Sequence, residues 1–203
     1  MDTPQFIAIT ISVISLSLSI ITFYRQRKRL TVTFSDNVFV LNPRTSILLN
    51  GEPLPYDSPV AFYATINIVN PSHENMSFFD LRAFNPSTNA NHFIATQRTS
   101  LANVNEPNVV IDCFEDGQTI FLATLPKRTF GELPAGSFTS LDVIVFANSA
   151  ISLKEGITIS FSVPDTILFP SKNEYSVTNR KVYKQFSRHY DVTGWEDTPS
   201  FRQ

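Results

Sequence analysis

Hydrophobic and polar positions change their rhythm once along this chain, near residue 29. Before it, residues 6–24 carry no charge. Ile7, Ile9, Ile11 and Val13 alternate with Ala8, Thr10 and Ser12, and Leu16, Leu18 and Ile20 alternate with Ser15, Ser17 and Ser19, a period of two that belongs to strands. Length argues otherwise. A strand of about 19 residues would be several times the usual five or six, whereas a helix of that length reaches roughly 28 Å, close to the ~30 Å hydrocarbon thickness of a bilayer. The segment is therefore expected to be one N-terminal transmembrane helix. On a helix, Ala8, Ser12, Ser15, Ser19 and Thr22 recur at steps of four and three and form one narrow small-residue stripe, a candidate helix–helix interface for self-association. Ser and Thr hydroxyls can alternatively bond back to a carbonyl one turn earlier.

Beyond residue 29 the pattern becomes short alternating runs separated by Pro, Asn, Asp and Gly. Leu30, Val32 and Phe34 alternate with Thr31 and Thr33; Phe62, Ala64, Ile66 and Ile68 alternate with Tyr63, Thr65 and Asn67; Ile157, Ile159, Phe161 and Val163 alternate with Thr158, Ser160 and Ser162. These predict half-buried strands. Leu141, Val143 and Val145 face opposite Ile144 and Phe146, so both faces of that strand are apolar and it is expected in the middle of the body. Further strands are predicted over 37–41, 46–49, 76–84, 92–96, 109–114, 119–123 and 181–190, roughly nine to eleven in all, with breakers about every ten residues. No helical period persists over three turns past residue 29.

This rhythm predicts an all-β fold: an antiparallel two-sheet β-sandwich, immunoglobulin-like in architecture only, because the single Cys excludes the usual Cys, Trp, Cys spacing. A β-barrel is the alternative. The expected organisation is a short extracytoplasmic N-terminus (1–5), the transmembrane helix (6–24), a basic juxtamembrane segment (25–29), one β domain (30–192) and a C-terminal tail (193–203). The 18 Phe and 13 Pro against 6 Gly describe an aromatic-rich folded chain rather than a disordered one.

Charge adds direction. A secretory signal would carry cations before its apolar run, but here Asp2 precedes it and Arg25, Arg27, Lys28 and Arg29 follow. That asymmetry predicts a retained signal-anchor with the N-terminus outside and the β domain on the cytoplasmic side of the cell membrane; an extracellular domain is the alternative. Residues 30–179 hold 7 Lys or Arg against 14 Asp or Glu, an acidic body that repels nucleic acid. Near the end, Arg180, Lys181, Lys184 and Arg188 interleave with Val182, Tyr183, Phe186 and Tyr190. Such a basic and aromatic surface can meet a membrane or single-stranded nucleic acid, but it equally describes an edge strand with Val182, Phe186 and Tyr190 turned inward and its cations in water.

Catalytic chemistry is hard to find. His73, His92 and His189 have no metal-ligand spacing and Cys113 has no partner, so no metal or other cofactor is expected. Cys113 sits in an apolar strand as a buried thiol would, and Asp112, Glu115 and Asp116 match no calcium loop. Phosphate loops and nucleophile elbows are missing. Asn70-Pro-Ser72 and Asn85-Pro-Ser87 bracket a segment with Asp80 and Arg82, and both triplets have turn chemistry. Enzyme is thus the less favoured class. The expected function is a single-pass, membrane-anchored β protein that acts as a protein-interaction or accessory module, with the lipid bilayer and one protein as partners. The alternatives are an assembly subunit that forms a homo-oligomer through its helix, and a ligand-binding protein or hydrolase whose site forms only on folding.

Overall fold

A computed structural model describes residues 3–25, 30–41, 47–49, 52–53, 58, 60–100, 108–113, 119–164 and 183–194. Helix α1 (Thr3–Arg25) leads into a body that is mostly antiparallel β-strand. Its strands are β1 (Thr31–Phe34), β2 (Phe39–Leu41), β3 (Ile47–Leu49), β4 (Glu52–Pro53), β5 (Ala61–Asn70), β6 (Met76–Phe84), β7 (Asn91–Ile94), β8 (Asn108–Cys113), β9 (Thr119–Thr124), β10 (Gly131–Leu133), β11 (Ser137–Phe146), β12 (Ile157–Pro164) and β13 (Tyr183–Tyr190), with one short helix α2 (Gln97–Ser100).

The larger sheet is nearly closed and runs β1-β5-β11-β7-β6-β12-β13, with β2 also on β5 and β10 also on β6. Its centre is the long β5–β11 pair, in which Ala61↔Phe146 through Asn70↔Ser137 are in register. Strand β7 hands the sheet over: Ala83↔His92 and Phe84↔Asn91 join it to β6, and Val145↔Ile94 and Phe146↔Phe93 join it to β11. Alternation explains which side fills the core. Phe62, Ala64, Ile66 and Ile68 of β5 meet Ile157, Ile159, Phe161 and Val163 of β12 in one buried cluster. Phe161 lies at its centre, stacked on Phe186 at 5.3 Å and packed against Phe34 at 6.3 Å and Phe78 at 6.2 Å.

Side chains bridge the gap between the two ends of this sheet. The Tyr190 hydroxyl donates to the Ser35 carbonyl at 3.0 Å, and Arg188 of β13 reaches Asp36 at 3.7 Å. On the other face of β5 and β11, Ala61, Ile144 and Phe146 pack with Leu41, Ala95, Ala123 and Leu125. The smaller sheet, β4-β3-β8-β9, is tied there by Asp142, whose carboxylate accepts from the Thr124 amide and the Tyr63 hydroxyl, both at 2.8 Å.

The antiparallel β body follows the sequence pattern closely; β6 spans 76–84 as predicted and β11, apolar on both faces, is central. Three short elements, β4, β10 and α2, were not expected. Two faces also differ. Thr158, Ser160 and Ser162 are buried, not solvated; they lie on an interior strand, paired with Phe84, Arg82 and Phe79 of β6 and with His189, Ser187 and Gln185 of β13. On β13, Lys184 and Arg188 share the face of Phe186 and Tyr190, since all four are two apart; their exposed ends reach past the core, with the Lys184 ammonium 4.8 Å over the Phe186 ring. Strand β6 carries a bulge: Ser160↔Arg82 and Ser162↔Phe79 leave one extra residue on β6, and Asp80 adopts φ 54° there.

Helix α1 extends beyond the predicted 6–24 at both ends. Its described apolar side chains, from Ile7 to Ile21, are all about half exposed. Side chains are described continuously over 7–22, about 24 Å of axis, and among the described residues no helix is long and apolar enough to cross a membrane.

One backbone position is demanding. Gly156 has φ +71°, and a Cβ there would stand 2.3 Å from the Tyr190 carbonyl oxygen. Gly156→Ala is expected to lower unfolding free energy by roughly 3 kcal/mol, combining positive-φ strain with displacement of the β12–β13 pairing; a urea denaturation midpoint unchanged from wild type contradicts this.

Candidate functional site

Where β7 leaves β6 to join β11, the sheet opens, and a cavity of about 340 Å³ forms between β7 and the segment 128–130 that leads into β10. Local sequence explains the opening. The bulge at Asp80 interrupts β6 just before Arg82, and beyond it the Leu81 amide donates to the Thr129 carbonyl at 2.9 Å, on the segment that leads into β10. Below, Asn85 fixes the turn from β6 to β7: its side-chain Oδ1 accepts from the Ser87 and Thr88 backbone amides at 2.9 and 3.0 Å, and its side-chain Nδ2 donates to the Ser152 carbonyl at 2.8 Å. Asn70 does the same at the β5–β6 turn, accepting from the Ser72 amide and donating to Leu133 and Pro134 carbonyls. Both Asn-Pro-Ser triplets are therefore turn scaffolds with buried amides.

Leu81, Ile94 and Phe130 give the cavity an apolar part, and Arg82, Arg98 and Arg128 give it a cationic one. No Asp or Glu lines it. Three of the seven cations in 30–179 thus converge on one opening of an otherwise acidic body. Each is held differently. Arg82 stacks 4.5 Å over the Phe84 ring and lies 3.5 Å from Asp80; Arg128 sits 5.4 Å over Phe130; Arg98 follows Gln97, whose side chain donates to the Leu125 carbonyl at 2.7 Å.

His92 is the buried titratable group of the lining, 5% exposed. The Asn148 amide donates to its Nδ1 at 3.3 Å, which places the ring proton on Nε2, and burial lowers its pKa, so the ring is neutral. That Nε2–H and the Arg82 Nε–H are buried without a hydrogen-bond partner; among the described residues only the Ser160 hydroxyl shares this condition. An unsatisfied buried donor costs on the order of 1–3 kcal/mol; that applies to His92 Nε2, while the Arg82 Nε charge is met by the Asp80 carboxylate at 3.5 Å.

Apart from Arg82 and His92, the residues singled out by sequence lie elsewhere. Arg25 ends α1, while Arg27, Lys28, Arg29, Arg180 and Lys181 fall outside the described residues. Ala8, Ser12, Ser15, Ser19 and Thr22 share one exposed stripe of α1; Ser12 donates to the Ala8 carbonyl and Ser19 to the Ser15 carbonyl, both at 2.9 Å. Lys184 and Arg188 lie on β13, which ends the sheet order. His73, His92 and His189 are not brought together, and among the described residues no group of His, Cys, Asp and Glu could hold a metal. Cys113 closes β8; Glu115 and Asp116 are outside the described residues. Sequence reading passed over Arg98 and Arg128 because no local spacing joins them to Arg82. No protein-family model and no curated protein sequence matches the chain.

The lowered His92 pKa has a signed consequence. The unfolded ring takes up a proton near its ordinary value of 6.5 and the folded ring only below it, so this stabilising contribution is present above pH 6.5 and is lost as pH falls through the folded value. Urea midpoints are expected to drop between pH 7.5 and pH 5, with a smaller drop in His92→Gln; equal pH slopes for the two proteins contradict the assignment.

Proposed function

We propose that this chain is a single-pass, membrane-anchored β protein that presents its body to a protein partner on the cytoplasmic side. The observation that carries the reading is α1: Ile7, Ile11, Ile14, Leu18 and Ile21 on one side of the helix and Ile9, Val13, Leu16 and Ile20 on the opposite side all stay about half exposed, with no strand packed closely against them among the described residues. Burying each such side chain is worth roughly 1.5–3 kcal/mol, and lipid is the medium that covers a helix on every side. In full sequence the uncharged run Phe6–Tyr24 covers about 28 Å, and the four cations after it orient the anchor with its N-terminus outside.

The same reading takes the body as a two-layered sandwich, β1-β5-β11 facing β6-β12-β13 across the buried cluster with β7 joining the layers; the handover at β7 supports it over a full barrel. The body lies close to the bilayer. Thr31, Val69 and Phe138 form one cross-strand row where the chain leaves α1, and Val69 and Phe138 are exposed, as suits residues at a lipid interface. A homo-oligomer held by the stripe Ala8, Ser12, Ser15, Ser19 and Thr22 ranks second, since the Ser12 and Ser19 hydroxyls are turned to their own backbone and close packing alone would drive it.

Reporter fusions at Gln203 test the orientation. A cytoplasmic reporter is expected to be active there and an export-dependent one silent; an active export-dependent reporter at Gln203 places the body outside and overturns the reading.

A further inference from the structure

We infer that the cavity at the β6–β7 opening binds a small phosphate monoester that carries an apolar or aromatic group. Three observations converge. The lining offers Arg82, Arg98 and Arg128 and no carboxylate, in a body whose acids outnumber its bases two to one over residues 30–179. His92 Nε2 is a buried N–H donor without an acceptor, whereas the buried Arg82 Nε makes no hydrogen bond but faces the Asp80 carboxylate at 3.5 Å; both residues belong to the lining. Beside the cations, Leu81, Ile94 and Phe130 supply apolar surface, with Phe130 half exposed.

The chemistry of this set selects the anion. Guanidinium groups present forked N–H donors that match phosphate oxygens in pairs, and three of them suit a dianion with three terminal oxygens better than a monoanionic carboxylate with two. A neutral imidazole adds a donor without needing a charge to be buried. A volume of about 340 Å³ lies at the small end of ligand sites, room for one phosphate and a ring rather than for a long chain. Asp80, 3.5 Å from Arg82, holds that guanidinium beside the opening and leaves Arg98 and Arg128 as the cations free of a carboxylate partner at this site among the described residues. The inference stands on the body alone and does not require the anchor.

Phenyl phosphate is the probe, with benzoate, phenol and inorganic phosphate as comparators, titrated by calorimetry into the full chain held in detergent. Phenyl phosphate is expected to bind at least tenfold more tightly than benzoate or inorganic phosphate, with no heat from phenol. Arg98→Gln and Arg128→Gln alter exposed side chains, and each is expected to weaken binding about tenfold, as loss of one charged hydrogen bond implies, while thermal midpoints without ligand stay at the wild-type value. As a second readout, ¹⁵N spectra are expected to move the Arg82 Nε and His92 Nε2 signals on addition of phenyl phosphate. Benzoate binding as tightly as phenyl phosphate overturns the phosphate assignment; unchanged affinity in both Arg variants, or absence of binding with a folded wild type, overturns the site.

Discussion

Apolar side chains have to leave water, and this chain meets that requirement in two unlike ways. In the body the solution is internal: Phe161, fully buried, gathers Phe34, Phe78 and Phe186 from three other strands, and loss of any one would leave the others facing a cavity. On α1 no internal solution is found among the described residues, because its isoleucines and leucines lie on two opposite sides of the helix and no described strand packs closely against them. The apolar area left over there, on the order of 10 kcal/mol of transfer free energy, is as large as the whole stability of an ordinary domain. The proposed anchor follows from that imbalance rather than from any motif.

The body's own organisation follows from where its sheet stops being regular. A bulge at Asp80 and the short pairing of β7 with both β6 and β11 let one sheet turn back over itself. Such a handover closes the core with few strands, and its side effect is an opening lined by side chains from β6, β7, α2 and the 128–130 segment. Arg82, Arg98 and Arg128 are well separated in sequence and become neighbours only through it. Structure and candidate chemistry thus have one origin.

Much of the fold was legible because alternation is a direct imprint of burial on one face. β6 and β12 were read nearly to the residue, while β5 and β11 extend past the expected 62–68 and 141–146 to Ala61–Asn70 and Ser137–Phe146. The failures have a common cause as well. Thr158, Ser160 and Ser162 look solvated by their polarity, but their strand lies between β6 and β13, and no period within one strand encodes what its neighbours cover. Lys184 and Arg188 are exposed, as expected of an edge strand, but they share the face of Phe186 and Tyr190, because all four are an even number of residues apart. β4 and β10, at two and three residues, are too short for any period to show. The cavity was invisible for a deeper reason: its residues share no spacing, and their meeting depends on a register shift that no local pattern encodes.

The central claim is that α1 is covered by something outside the chain, and hydrogen exchange of the full protein in lipid nanodiscs tests it most directly. Backbone amides over 7–22 are expected to exchange as slowly as those of β5 and β11, because a helix in hydrocarbon is both dry and fully hydrogen-bonded. Rapid exchange of those amides in nanodiscs, with β5 and β11 still protected, would contradict the account.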